Sequence, residues 1–478
     1  MRSALDRLAV ALGPRLVDPL VALAERAGLE LRYEPRVFGG EGPLDHAGLA
    51  LRVGYMVKLL FGSRHPAPAV RAPRAAFTPS IHVPADGAPR ARITFVGDVL
   101  STPELGRASI SGGLRALFAA SDRVVLNLEG TAGSGSPRAT FAPVTTPAGL
   151  AQLARFARDR DATRWTSDVS APALAAALDG ASVSVGLANN HAFDRGLDGL
   201  RESRAALATE GLTPFGYDDD GAPEDALVPV GPYRLGLVAT TFGHNHAAAR
   251  PAIASRFASV PYTIDRAAFA ARALALRAAG AQVVVASLHW GYEHEHAPRP
   301  DMEACARTII DAGYDAVVGH HPHTFQRVDI TDRGGVIAYA LGDFIGGDRT
   351  PWSRFGLGLH LDLGPRGIIG VTATPLAQTP SWAGRAKTML LDEAPTSERR
   401  LFSRAHGGKA AYIMMRCSPS TSSRRRCATT ARRGALCPGT RRCPRARAAS
   451  CRRRAWPRSS RRPSRGSIPR AASRSRVC

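Results

Sequence analysis

Outside its last 62 residues the chain holds one cysteine, Cys305. That scarcity excludes a disulfide framework for the body of the protein and any metal site built from several thiolates. A run of about 18 apolar residues is also missing, so no transmembrane helix is expected. The N-terminal stretch is apolar in places, but Asp6, Arg7, Pro14, Arg15 and Asp18 interrupt it. It reads as an amphipathic helix and not as a signal-peptide core. The expected location is therefore cytoplasmic or peripherally membrane-associated.

Acidic residues and lysine are absent from residues 417–478, which carry 19 Arg; of the formal net charge of +23, about +4 then belongs to everything before. The body is nearly balanced, so the overall charge does not argue for a polyanion partner. The tail has almost no aliphatic side chains, cannot bury a core, and is expected to be disordered. Three readings of it compete. Its cysteines (417, 427, 437, 443, 451 and 478) contain no C-x2-C pair, which disfavours a zinc module. A nucleic-acid-binding arm would be lost on truncation and weakened by salt, and nucleic acid is not the expected partner. The favoured reading is out-of-frame translation of a GC-rich gene.

What the chain does have is a series of β-branched runs that stop abruptly at polar residues. Ile93–Val96 runs into Gly97 and Asp98; Val124–Leu126 ends at Asn127, Leu128 and Glu129; Val183–Leu187 ends at Asn189, Asn190 and His191. Val283–Leu288 ends at His289, and Ala316–Gly319 ends at His320, His321 and His323. Helical spacing separates these runs at 114–120, 171–178, 197–210, 267–279 and 302–314. Alternation of this kind gives a largely parallel sheet, and ligands bind at the carboxyl ends of such strands. A hairpin is expected at 227–240 around Gly231 and Pro232, and a short helix near Leu150–Arg158. Later strands at 324–330, 336–341, 357–363 and 368–374 imply a second sheet or an antiparallel edge, with helices outside.

Asp98, Glu129, Asn190, His289 and the His321/His323 pair form a mixed oxygen and nitrogen donor set. Such a set suits one or two divalent ions of the Mn, Fe or Zn kind better than a thiolate-selected metal. In an extended segment His321 and His323 would point to the same side. Gly97 and Gly319 would let the backbone approach closely beside the ligands. Asn127, Asn189, Glu293, His320 and Asp343 are further candidates for lining the site.

The segments ITFVGDV (93–99), VVLNLEG (124–130), VGLANNHAFDRG (185–196), SLHWGYE (287–293), VVGHHPH (317–323) and AYALGDF (338–344) resemble, in order, the motifs of the CapA family. These are capsule-biosynthesis, poly-gamma-glutamate synthesis proteins related to the calcineurin-like metallophosphatases. The resemblance runs across about residues 92–376. It implies an α/β fold, a four-layer α/β/β/α sandwich, for the family domain (91–378); the residue pattern adds a helical N-terminal extension (1–62), a Pro-rich linker (63–90), an extension of the domain (379–416) and the Arg/Ser/Cys-rich tail (417–478). The resemblance also implies roles. Glu129 would bridge two ions; Asp98 and His323 would complete the first position, and Asn190, His289 and His321 the second. His191 would act as general acid or transition-state stabiliser, oriented by Asp194. The implied substrate is an anionic polymer or a phosphoester, and the implied partner the capsule-synthesis machinery. A metal-dependent hydrolase is the leading expectation, with a non-catalytic polymer-binding or export component as the alternative.

Two positions depart from the family pattern. Leu100 stands where the phosphatase relatives carry His, which could leave one position weak or to be completed by water, His294 or His296. Asp343 stands where Asn is usual.

Overall fold

The computed structural model describes residues 90–100, 109–133, 168–244, 264–346, 350–379 and 387–405, together with Ser80–His82, Ile413–Met414 and positions 19, 23 and 105. The tail, almost all of residues 1–79, and the helix expected near Leu150–Arg158 lie outside the described residues.

In chain order the elements are β1 (Ser80–His82), β2 (Ala91–Val99), α1 (Gly112–Ala119), β3 (Arg123–Leu128), β4 (Thr131–Gly133), β5 (Asp168–Ser170), α2 (Ala171–Leu178), β6 (Val183–Gly186), α3 (Gly196–Thr209), β7 (Thr213–Tyr217), β8 (Pro223–Glu224), β9 (Ala226–Val230) and β10 (Tyr233–Thr241). There follow α4 (Arg266–Ala278), β11 (Val283–His289), α5 (Pro300–Asp311), β12 (Ala316–His320), β13 (Val328–Ile330), β14 (Val336–Ala338), β15 (Asp343–Ile345), β16 (Phe355–Gly364), β17 (Gly367–Thr379), β18 (Lys387–Leu390), α6 (Thr396–Ala405) and β19 (Ile413–Met414).

The first sheet runs β1-β17-β16-β2-β3-β6-β7-β8, with β15 against β2 and β18 against β17; the second runs β19-β13-β14-β12-β11-β10-β9. Within the first, β2, β3, β6 and β7 are parallel. Within the second, β10, β11, β12 and β14 are parallel. The expected hairpin is β9 and β10, antiparallel.

Alternation along β11 shows how the layers stack. Val283 and Val285 belong to the core shared with Phe95, Val125 and Val185 of the first sheet. Val284, Ala286 and Leu288 point the other way, into a core with Phe269, Met302, Cys305 and Ile309 of α4 and α5. Leu114, Leu174 and Leu200 of α1, α2 and α3 pack against the first sheet. This is helix, sheet, sheet, helix. Strands covered on both faces read as continuous apolar runs, as these do. Side chains at helix starts satisfy main-chain donors that no helical turn can reach. Ser111 accepts from the Leu114 N–H, and Asp265 from those of Ala267 and Ala268.

Several elements differ from the expectation. The strand at 324–330 shrinks to Val328–Ile330, because 321–327 turns to bring its polar side chains inward. Strand β1 falls inside the stretch expected as a linker, and pairs antiparallel with β17. Past residue 379, β18 extends the first sheet, and Phe402 of α6 stacks on Phe325. No helix among the described residues is long and apolar enough to cross a membrane.

Candidate metal centre

The parallel strands of both sheets deliver their carboxyl ends to one place. Asp98 is the penultimate residue of β2, Glu129 follows β3, Asn190 follows β6, His289 closes β11, and His320, His321 and His323 end and follow β12. Close backbone packing holds them there. A Cβ at Gly97 would lie 1.7 Å from Gly342 O, and one at Gly319 would lie 1.8 Å from Tyr339 O, so only glycine fits at either position.

Glu129 stands at the middle. Its Oε1 lies 3.5 Å from His289 Nε2, 3.6 Å from His323 Nε2 and 3.9 Å from His321 Nδ1. Both of its oxygens are buried, and neither accepts a hydrogen bond from the described residues. The imidazole nitrogens are too far for hydrogen bonds. They are close to the separation of about 3–3.5 Å expected of two ligands around one ion with metal–ligand bonds near 2.1 Å. Two groups of ligand atoms, each within 4.8 Å of one another, share this carboxylate: Glu129 with His289 and His321, and Glu129 with Asp98 and His323. The donor set of carboxylate and imidazole fits a divalent cation.

The surrounding contacts fix each side chain. Asp98 Oδ1 accepts from Asn127 Nδ2 at 2.7 Å and lies 3.1 Å from His320 Nδ1, while Oδ2 accepts from the His321 N–H at 2.9 Å. Asn127 Nδ2 is 3.3 Å from His289 Nδ1, and His289 Nε2 is 2.8 Å from Asn190 Oδ1. Asn189 turns away and shapes the loop: Nδ2 donates to Leu128 O, and Oδ1 accepts from the His191 N–H. His323 Nδ1 meets Asp343 Oδ1 at 2.8 Å. His191 Nδ1 meets Asp194 Oδ2 at 2.7 Å; the His191 side chain is 20% exposed, against 1% for Asp194.

Electrostatics follow from these contacts. Burial would raise the Glu129 carboxyl, but facing His323 and His289 holds it well below the ordinary range. Burial and Glu129 push Asp98 up, and His320 and His289 more than offset them. Burial lowers His289 to about 4, leaving the neutral ring that a metal binds. Burial also opposes protonation of His191 and His323. Asp194 outweighs it at His191, and Glu129 with Asp343 outweighs it strongly at His323.

Three details of the structure could not be read from the sequence. First, His321 and His323 are not extended: their φ angles are 94° and 53°, so both reach Glu129 from left-handed turns and not from one face of a strand. Gly319 packs closely on Tyr339 one residue before β12 ends at His320. Second, neither His294 nor His296 falls in either ligand group. His294 Nε2 lies 3.6 Å from Glu293 Oε2, and His296 packs edge-on against Trp352. Leu100 is buried, with its N–H bonded to Ile345 O, and supplies nothing polar. Third, a staple joins the two histidine loops. Thr324 Oγ1 and Gln326 Nε2 both donate to Glu295 O, and Arg299, which pairs with the Glu295 carboxylate, lies over the Tyr292 ring. The four-residue spacing of Glu295 and Arg299 was its only trace in sequence.

Residues 92–348 match the family described as bacterial capsule synthesis protein PGA_cap. The PGA biosynthesis protein CapA of Bacillus subtilis is 27% identical over 260 residues, 53% of this chain and 62% of that protein. The capsule biosynthesis protein CapA of Bacillus anthracis is 31% identical over 164 residues, 33% of this chain and 39% of that protein. The chain thus spans less than two thirds of either relative. Among solved structures, a novel phosphatase of Mycoplasma pneumoniae aligns over 61% of this chain and 94% of its own, at 12% identity and a TM-score of 0.36.

Proposed function

Because the chain belongs to the bacterial capsule synthesis protein family PGA_cap, we propose that it assists synthesis, transfer or export of an anionic capsule polymer such as poly-gamma-glutamate, and that it does so as a metal-dependent hydrolase acting on a phosphoester or related anionic bond. One observation carries the hydrolase reading. The buried Glu129 carboxylate has no hydrogen-bond donor among the described residues and is shared by two groups of ligand atoms.

Asp98, Glu129 and His323 would hold one divalent ion, and Glu129, Asn190, His289 and His321 the other. When bound, such ions supply Lewis-acid polarisation of the scissile group and acidify a water near neutral pH. The protein's own side chains do the rest. Asp194 holds Nδ1 of His191, so a proton would pass to a leaving group from Nε2. Asp194, which outweighs burial there, favours the protonated ring in the metal-free protein. Asn127 ties Asp98 to His289, so that the two sheets present their ligands in one register.

The alternative, a polymer-binding component without catalysis, is favoured by one feature: Leu100 offers no ligand at the first position. The two separate in one assay. Chelator-stripped protein is reconstituted with Mn, Fe or Zn and offered phosphoesters and poly-gamma-glutamate. The hydrolase reading expects turnover that needs the metal and falls by about 10²–10⁴-fold in His191→Ala, with metal content kept. Polymer binding with no turnover by any of the three reconstituted forms would favour the alternative.

A further inference from the structure

Asp343 occupies a built position. It is the register partner of Asp98 where β15 lies parallel to β2. The Asp98 N–H donates to Gly342 O at 3.0 Å, and Gln378 Nε2 donates to Asp343 O at 3.0 Å. The main chain at Asp343 is therefore fixed from two sides, and with it the direction of its side chain. Its Oδ1 meets His323 Nδ1 at 2.8 Å, with both residues buried. An ionised carboxylate can only accept, so Nδ1 carries the hydrogen. In the neutral ring Nε2 is then the nitrogen with the lone pair, and it is the one that lies 3.6 Å from Glu129 Oε1. Carboxylate, imidazole and cation in sequence is the arrangement that orients a metal-binding histidine and strengthens it as a donor.

We infer that Asp343 is a positioning residue for the ion at the Asp98–Glu129–His323 group, acting through His323. The inference rests on the metal-centre reading above. It is selective, because the other group is held differently: His289 lies between Asn127 and Asn190, and neither contact involves Asp343.

A double-mutant cycle on the full chain tests it, with Mn²⁺ titrated into chelator-stripped protein and bound metal counted. In a His321→Ala background, which retains the Asp98–Glu129–His323 group, adding Asp343→Ala weakens Mn²⁺ by about 10–100-fold. Asp343→Asn, which keeps an acceptor for Nδ1–H but loses the charge, weakens it less. In a His323→Ala background, which retains the other group, Asp343→Ala changes nothing further. Equal losses in both backgrounds would show an effect on the fold and overturn the inference. So would no loss in either. Failure of the wild type to bind Mn²⁺ would overturn the metal centre itself, and is distinguished from the other failures by the wild-type titration alone.

Discussion

Two regions bury polar groups around a histidine, and they are built in opposite ways. In the middle of the first sheet, His360 Nδ1 meets Thr94 Oγ1 at 2.8 Å, and its Nε2 meets Thr374 Oγ1 at 2.9 Å. Both ring nitrogens have hydroxyl partners, and burial lowers the ring to about 4. At the strand ends, Glu129 is buried as deeply but accepts no hydrogen bond from the described residues. An unsatisfied buried charge costs several kcal/mol. Burial alone therefore does not distinguish a structural histidine from a functional cluster. Completeness of the hydrogen bonding does: the first region is finished without a ligand, whereas the second leaves Glu129 without a donor among the described residues, as the proposed cation site requires.

The sharpest break between the regions comes from Glu129→Gln. It removes the charge shared by both groups, so bound metal should fall to background and hydrolysis by more than about 10²-fold. His360→Gln should leave the metal content unchanged, as elemental analysis of the two variants would show. Next, His321→Ala and His323→Ala should each lose one position and keep the other, giving intermediate metal content. Equal and complete loss in both would mean that the two groups act as one site.

A smaller effect separates the regions by pH. His360 has a folded pKa near 4, below its ordinary value near 6.5. Between those values the unfolded chain binds more protons, so stability rises with pH across that window and is lost as pH falls through it. The full effect is at most about 3 kcal/mol. Denaturant unfolding at pH 7 and pH 4.5 should show a shallower pH dependence in His360→Gln than in the wild type. The smallest effect is expected at the staple. Thr324→Val removes one hydrogen bond to Glu295 O and should cost about 1 kcal/mol, with metal stoichiometry unchanged.

The sequence made these strand ends legible for a physical reason. Parallel strands covered on both faces leave unbroken Val and Ile runs, so a carboxylate or imidazole at the end of one stands out. Asp98, Glu129, Asn190 and His289 could be read in that way. Strand β7 could not, because TPFGY carries Pro and Gly where a buried strand would carry neither. Strand β15 is three residues long and begins with Asp343. Helix α6 begins with Thr, Ser, Glu, Arg and Arg, and shows little apolar spacing. The left-handed turns at His321 and His323, and the pairing of His323 with Asp343 twenty residues on, arise only from tertiary packing. Local pattern does not encode them.

The most direct test of the central claim, that Glu129 is the shared ligand of a metal centre, is anomalous diffraction from crystals soaked in Mn²⁺. The account predicts peaks about 2.0–2.3 Å from Glu129, one beside Asp98 and His323 and one beside His289 and His321. Crystals in which no peak lies near Glu129, and its carboxylate instead accepts hydrogen bonds from ordered water or a neighbouring side chain, would contradict it.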